Sequence, residues 1–88
     1  MSGFEVILTP EAQADIRHLD PSVQTRFLDS LEWMGENVEL MRRLSLRGDE
    51  WRGCFRYRLG DYRILYTLDR LADKLVVLKI GHRREVYR

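Results

Sequence analysis

The alternation of apolar and polar residues is clearest in residues 54–66, where it predicts two short strands joined by a tight turn. The turn is Gly60-Asp61, and Gly followed by Asp is typical of a two-residue hairpin turn of the primed type. This loop length places Arg58 opposite Arg63, and side chains alternate between the faces of a strand. One face therefore carries the apolar set, Phe55, Tyr57, Leu59, Tyr62, Ile64 and Tyr66, and the other carries Arg56, Arg58, Arg63 and Thr67.

The arginine pair across the hairpin has two interpretations. Like charges directly opposite each other destabilise a sheet, so the pair favours a polyanion that binds across this face. The alternative is a solvated face on which the arginine stems cover apolar surface. The hairpin alone leaves both interpretations open.

Helical periodicity precedes the hairpin in two consecutive segments. Thr9-Pro10 supplies a capping hydroxyl and a proline at the first helical position, followed by the apolar stripe Ala12, Ile16 and Leu19. Asp20-Pro21 repeats the signal and begins a second stripe of Val23, Phe27, Leu31 and Met34. Gly35 is the predicted end of this helix, and the near absence of a linker predicts a helical hairpin.

Three further segments complete the predicted sheet. Residues 4–9 form a first strand, residues 46–48 enter the sheet, and residues 75–80 form an interior strand because both of its faces are apolar. The order β-α-α-β-β-β predicts an α+β fold in which two N-terminal helices pack on one face of a largely antiparallel four-stranded sheet. We expect residues 1–88 to form a single domain.

Composition is that of a soluble globular domain, with 44% hydrophobic and 33% charged residues in 88. No apolar run approaches the ~18 residues of a membrane span, and the first residues lack a signal-peptide pattern, so we expect a cytoplasmic protein that does not bind membranes. The single Cys54 excludes an internal disulfide and a cysteine metal cluster, and we expect it to be inert.

The net charge of +1 hides an uneven distribution. Residues 1–41 hold two basic and eight acidic side chains, a net of −6, whereas residues 42–88 hold 13 basic and six acidic ones, a net of +7. Only Lys74 and Lys79 among the 15 basic side chains are lysines. Arginine favours bidentate contacts with phosphate. This asymmetry predicts an acidic helical layer and a basic sheet face.

The candidate catalytic and phosphate-binding residues lie on the basic face and after the last strand. Zinc, P-loop and dinucleotide motifs are absent, so we expect no cofactor. Arg56, Arg58 and Arg63 offer cations for phosphates, and the stretch after residue 80 adds the imidazole of His82 and the phenol of Tyr87. RNA carries its own nucleophile, the 2′-OH, so a cationic site with an acid/base pair suffices to cleave it without metal.

Two segments resemble a known family. Residues 57–66 (YRLGDYRILY) and 77–87 (VLKIGHRREVY) are similar to the RelE-type toxins of bacterial and archaeal toxin–antitoxin modules, in the RelE/ParE superfamily. The resemblance implies a RelE-like fold and a toxin that enters the ribosomal A site and cuts mRNA by 2′-OH attack, leaving a 2′,3′-cyclic phosphate. It also implies a RelB-like antitoxin partner, and binding of operator DNA only as the toxin–antitoxin complex.

The resemblance also assigns site residues. The expected catalytic residues are Arg58, Arg63, Arg83, Tyr87 and the candidate proton donor His82; the expected RNA-binding residues are Arg47, Arg56 and Arg84; no metal ligand is expected. The best-known member usually has lysine on the second strand, where this chain has arginine. Arginine does not exchange its proton at working pH, so its role would be electrostatic, and proton transfer would move towards the tyrosine and the histidine.

Two other functions remain open at this stage. A ParE-like toxin would share the fold and inhibit DNA gyrase by binding, without nuclease activity. A non-toxic nucleic-acid-binding regulator would bind many RNAs or DNAs in a salt-sensitive manner.

Overall fold

The computed structural model describes residues 3–41, 44–45 and 53–86. The elements in chain order are β1 Glu5–Leu8, α1 Pro10–Arg17, α2 Pro21–Glu36, a 3₁₀ turn Val38–Leu40, β2 Leu44–Ser45, β3 Phe55–Leu59, β4 Tyr62–Asp69 and β5 Lys74–His82. The sheet order is β1-β5-β4-β3-β2, with β1 parallel to β5 and the other pairs antiparallel.

The predicted α+β fold, two helices on a largely antiparallel sheet, is confirmed. The four predicted strands are present, and the two-residue β2 extends the sheet beyond β3. The predicted entry of residues 46–48 into the sheet lies outside the described residues. None of the helices in the described ranges is long and apolar enough to cross a membrane.

Both helices begin where the sequence predicts. The Thr9 hydroxyl accepts a hydrogen bond from the Ala12 N–H at 3.2 Å and donates one to the Leu78 carbonyl at 3.1 Å, so the cap also fastens α1 to β5. Asp20 and Pro21 begin α2. The stripe residues that become fully or almost fully buried are Ala12, Ile16, Phe27, Leu31 and Met34.

The predicted helix stop at Gly35 is wrong. Helix α2 continues to Glu36, and Gly35 lies inside its last turn. The Gly35 carbonyl accepts the Phe4 N–H at 2.7 Å, and a Cβ on Gly35 would lie 2.8 Å from the Phe4 oxygen. The glycine is therefore required by the close approach of α2 to the start of β1, not by the end of the helix.

The hydrophobic core lies between the helices and one face of the sheet, here called the helix-covered face. β4 and β5 contribute five buried side chains to it, Ile64, Tyr66, Leu75, Val77 and Ile80. The Phe27 ring meets the Tyr62 ring edge-on, with centroids 5.4 Å apart. The apolar face predicted for the hairpin packs against this core, so its assignment is confirmed.

A β-bulge interrupts the pairing of β4 with β5. Tyr66 pairs with Val77, but Leu65, the residue before Tyr66 in β4, pairs with Lys79. β5 therefore contains one extra residue at this point. The shift puts Ile80 on the helix-covered face and Gly81 on the opposite face. Beyond the end of β1, α1 borders β5, where the Asp15 carboxylate accepts the Ile80 N–H at 2.9 Å.

Candidate functional site

The sheet face away from the helices carries Arg56, Arg58 and Arg63, here called the arginine face. The predicted hairpin register is confirmed, with Arg58 opposite Arg63. Gly60 has φ of 60°, which a primed turn requires at its first central position. The turn thus fixes which side chains share this face.

The arginine face has no charge partner among the described residues. The ion pairs within those ranges lie elsewhere and are Arg70–Glu39 at 2.7 Å, Lys74–Glu5 at 2.9 Å and Lys79–Glu11 at 3.6 Å. The Arg56 Nε atom is buried and has no hydrogen-bond partner in the described part of the chain. An unpaired buried donor costs about 1–3 kcal/mol, so β3 carries this arginine at a cost in stability.

The Arg63 guanidinium is held at the hairpin tip. Its Nη1 atom donates to the Gly60 carbonyl at 3.0 Å and to the Tyr62 carbonyl at 2.9 Å. A guanidinium has five N–H donors, so these bonds orient the group and leave other donors for a ligand.

Arg83 joins the same region through its backbone. Its N–H donates to the Asp61 carbonyl at 2.8 Å, so the residue after β5 lies beside the hairpin turn, and its side chain is exposed.

Arg26 was not predicted as a site residue. Its Nη2 atom lies 3.6 Å from where a Gly60 Cβ would be, so α2 adds a cation at the tip. In the sequence, the signal for this position of Arg26 was the neighbouring Phe27, because the apolar stripe of α2 that contains Phe27 packs on the hairpin.

Residues 83–86, here called the tail turn, bring the chain back onto the arginine face. The Glu85 and Val86 N–H groups donate to the His82 carbonyl at 2.8 and 3.0 Å. Val86 is 1% exposed, and a Cβ on Gly81 would lie 3.6 Å from its Cβ. Because Gly81 pairs with Arg63, Val86 lies on the arginine face. Tyr87 follows directly but lies outside the described residues, as does Arg47.

His82 is not on the arginine face. It pairs with Tyr62, and the two rings meet edge-on with centroids 5.9 Å apart on the helix-covered side. There it lines a cavity of about 600 Å³ whose other walls include Asp15, His18, Leu19, Arg84 and Glu85. The β-bulge in β5 is the reason, since it reverses the face on which His82 lies. The structure therefore separates His82 and Arg84 from Arg58 and Arg63.

Cys54 is buried at the start of β3, and its burial raises the pKa of the thiol. A raised pKa keeps the sulfur protonated and poorly nucleophilic, as expected for an inert side chain. Within the described ranges, no three or more His, Cys, Asp or Glu residues are placed to hold a metal ion.

Comparison with known proteins agrees with this architecture. A family model described as the ParE toxin of the type II toxin–antitoxin system parDE matches residues 6–87. Toxin RelG of Mycobacterium tuberculosis is 29% identical over 91 residues, covering 97% of both chains. The RelBE2 toxin–antitoxin complex of the same organism contains a chain that superposes with a TM-score of 0.82 at 27% identity, covering 97% of both chains.

A more distant match supports the fold alone. The archaeal RelE–RelB complex from Pyrococcus horikoshii OT3 contains a chain with a TM-score of 0.73 at 22% identity, covering 96% of this chain and 99% of that one. Because the family model spans nearly the whole sequence, this chain belongs to the ParE toxin family of type II toxin–antitoxin systems, within the RelE/ParE superfamily.

Proposed function

We propose that this toxin is a ribosome-dependent endoribonuclease that cuts mRNA in the A site without metal. The observation that carries the proposal is the convergence at the hairpin tip. Arg58 and Arg63 share one face without a described carboxylate partner, and Arg83 is fastened to the same turn through Asp61. Val86 then brings the chain back over this face immediately before Tyr87.

In the proposed reaction, the RNA 2′-oxygen attacks the adjacent phosphorus. The new bond joins O2′ to phosphorus, the bond from phosphorus to the 5′-oxygen breaks, and the products are a 2′,3′-cyclic phosphate and a 5′-OH. Arg58, Arg63 and Arg83 stabilise the charge that grows on the phosphorane oxygens. Arg56 binds a neighbouring phosphate.

Proton transfer falls to Tyr87 in this proposal. The 2′-OH must lose a proton and the 5′-oxygen must gain one, and arginine can do neither. Tyr87 accepts or orients the 2′-OH proton, and water or the ribosome supplies the other. We expect free RNA to be cut poorly, because a site without a strong general base depends on the ribosome to position its substrate.

A RelB-like antitoxin is the proposed protein partner, since relatives from M. tuberculosis and P. horikoshii were crystallised with antitoxins. We propose that it masks the arginine face, and that the complex, not the free toxin, binds operator DNA. A groove of about 480 Å³ between β1 and α2, lined by Phe4, Val6, Leu8, Leu28 and Leu31 and flanked by Glu32 and Glu36, suits an apolar antitoxin segment with basic flanks. Action on ribosomes would place the toxin in the cytoplasm.

The test is addition of the pure toxin to translating ribosomes, with cleavage sites mapped at the mRNA ends. We expect cuts in the A site that Arg63→Ala abolishes. Arg17→Ala is the matched control, because it removes the same charge from an exposed position on α1. Intact mRNA, or equal cleavage by the Arg63→Ala protein, would refute the proposal.

Gyrase inhibition is the second candidate, and the family model named for ParE favours it. In a supercoiling assay, a gyrase inhibitor would stall the enzyme and leave translated mRNA intact. A non-toxic regulator would do neither and would cause no growth defect when expressed alone.

A further inference from the structure

Three backbone N–H groups of the tail turn converge on His82. Those of Glu85 and Val86 donate to its carbonyl, and that of Arg84 donates to its Nδ1 atom at 3.2 Å. A backbone N–H can only donate, so Nδ1 is the acceptor of this bond.

The His82 ring is held in place by the core. It meets Tyr62 edge-on, and Tyr62 meets Phe27 edge-on in turn. The acceptor that receives the Arg84 N–H is thus fixed relative to the sheet. The same packing keeps the ring on the helix-covered face, away from a phosphate bound by Arg58 and Arg63.

The tail turn carries Arg83 of the proposed site and precedes Tyr87 in the sequence. At its start, Arg83 is fastened to the hairpin turn, and at its end Val86 packs on Gly81 just before Tyr87. Any loosening of the turn would displace Arg83 and Val86 together. The bond between the Arg84 N–H and His82 Nδ1 closes the middle of this turn.

We propose that His82 is a positioning residue, whose Nδ1 atom caps the tail turn and so holds Arg83 and Val86 at the arginine face, and that it transfers no proton to the substrate. The test of this proposal by mRNA cleavage rests on the proposed endoribonuclease function. The effect of His82 substitutions on the tail turn can be measured without substrate.

The two roles of His82 predict different responses to substitution. A capping role needs only a hydrogen-bond acceptor at the position of Nδ1, whereas a proton donor needs a side chain that can give up a proton to the substrate. The side chains around the ring are those of Asp15 and His18 of α1, Tyr62 of β4, and Arg84 and Glu85 of the tail turn. His18→Gln therefore serves as the control for loss of the other imidazole in the cavity.

Two substitutions separate the roles. In His82→Asn the side-chain oxygen can accept the N–H two residues ahead, as in an Asx turn, and the amide cannot act as a general acid. His82→Leu keeps an apolar bulk but has no acceptor. We expect hydrogen exchange at the amides of residues 84–86 to rise about 3- to 10-fold in the leucine variant, the equivalent of one lost hydrogen bond, and to stay near wild type in the asparagine variant.

Cleavage on the ribosome supplies the second readout. We expect His82→Asn to keep most of the activity, and His82→Leu to lose activity through kcat. Exchange at core amides such as Ile64 and Leu75 reports whether each variant is folded.

An asparagine variant with native tail exchange but no activity would overturn the proposal in favour of chemistry by His82. Native tail exchange in the folded leucine variant would overturn the capping role itself. If the wild-type protein cuts no mRNA, the proposed function fails, and the exchange measurement still decides whether His82 caps the turn.

Discussion

Replacing Arg58 by glutamine should stabilise the fold and weaken the toxin. Arg58 lies directly opposite Arg63, is exposed, and forms no ion pair with a described carboxylate. Facing like charges on adjacent strands cost about 0.2–1 kcal/mol. We therefore expect the free energy of unfolding to rise by about 0.2–1 kcal/mol in Arg58→Gln. At about 4–8 °C per kcal/mol for a domain of this size, Tm rises by about 1–8 °C.

Urea unfolding at two salt concentrations tests the electrostatic origin of this gain. The Debye length falls from about 10 Å at 0.1 M to about 3 Å at 1 M salt, so the gain should shrink at high salt. Arg17→Gln is the matched control. It removes a cation from the last turn of α1, where positive charge is favourable, so we expect no gain or a small loss.

The effect on activity should have the opposite sign. Loss of one group that stabilises transition-state charge typically costs about 10²- to 10³-fold in kcat, and we expect a loss of that order in Arg58→Gln on translating ribosomes. A stability gain that does not depend on salt would refute the repulsion between the two arginines. Unchanged cleavage would refute the arginine face as the RNA site. A gain in stability together with a loss of activity is expected where a functional site retains a pair of residues that destabilises the fold.

Three further outcomes follow from other parts of the fold. Gly35→Ala should lower the free energy of unfolding by about 1–3 kcal/mol, because the new Cβ would crowd the Phe4 carbonyl; an unchanged urea midpoint would show that α2 moves away freely. Because burial raises the pKa of the Cys54 thiol in the folded state, stability is retained below the thiol's unfolded pKa and falls as pH rises through the folded pKa. Cys54→Ala should remove this alkaline loss in pH-dependent unfolding. Leu28→Arg, which alters the exposed wall of the groove beside β1, should weaken antitoxin binding in calorimetry and leave mRNA cleavage intact. Unchanged affinity would show that the antitoxin binds a different surface.

Local chemistry explains the parts of the fold that were predictable. A cap and a proline define a helix start within two residues, so Thr9-Pro10 and Asp20-Pro21 mark both helices. The hairpin register follows from one two-residue turn, and with it the face of each arginine.

Non-local packing explains the parts that were not predictable. The parallel pairing of β1 with β5 joins residues almost 70 positions apart, and no local pattern encodes it. Gly35 resembles a helix stop in sequence, because its crowding by Phe4 arises only when α2 meets the sheet. Arg26 belongs to the acidic half of the chain and reaches the hairpin tip through the tertiary fold.

The position of His82 depends on a single extra residue in β5. If the pairing of Tyr66 with Val77 continued without a bulge, Lys79 would face Ile64 in the core, and His82 would lie on the same side as the arginines. The observed register instead pairs Ile64 with Ile80 and Arg63 with Gly81. A one-residue shift exchanges the faces of every residue that follows it.

Lys79 was the sequence signal for this shift. A lysine in the core without a partner would carry a large desolvation cost, whereas the bulge lets Lys79 approach Glu11 at 3.6 Å. The same displacement puts Gly81 on the arginine face, where Val86 packs on it. The direction of the tail turn, and with it the position of Arg83 beside the hairpin and of Val86 on the arginine face, is therefore set by the need to keep one charge three residues upstream of His82 out of the core.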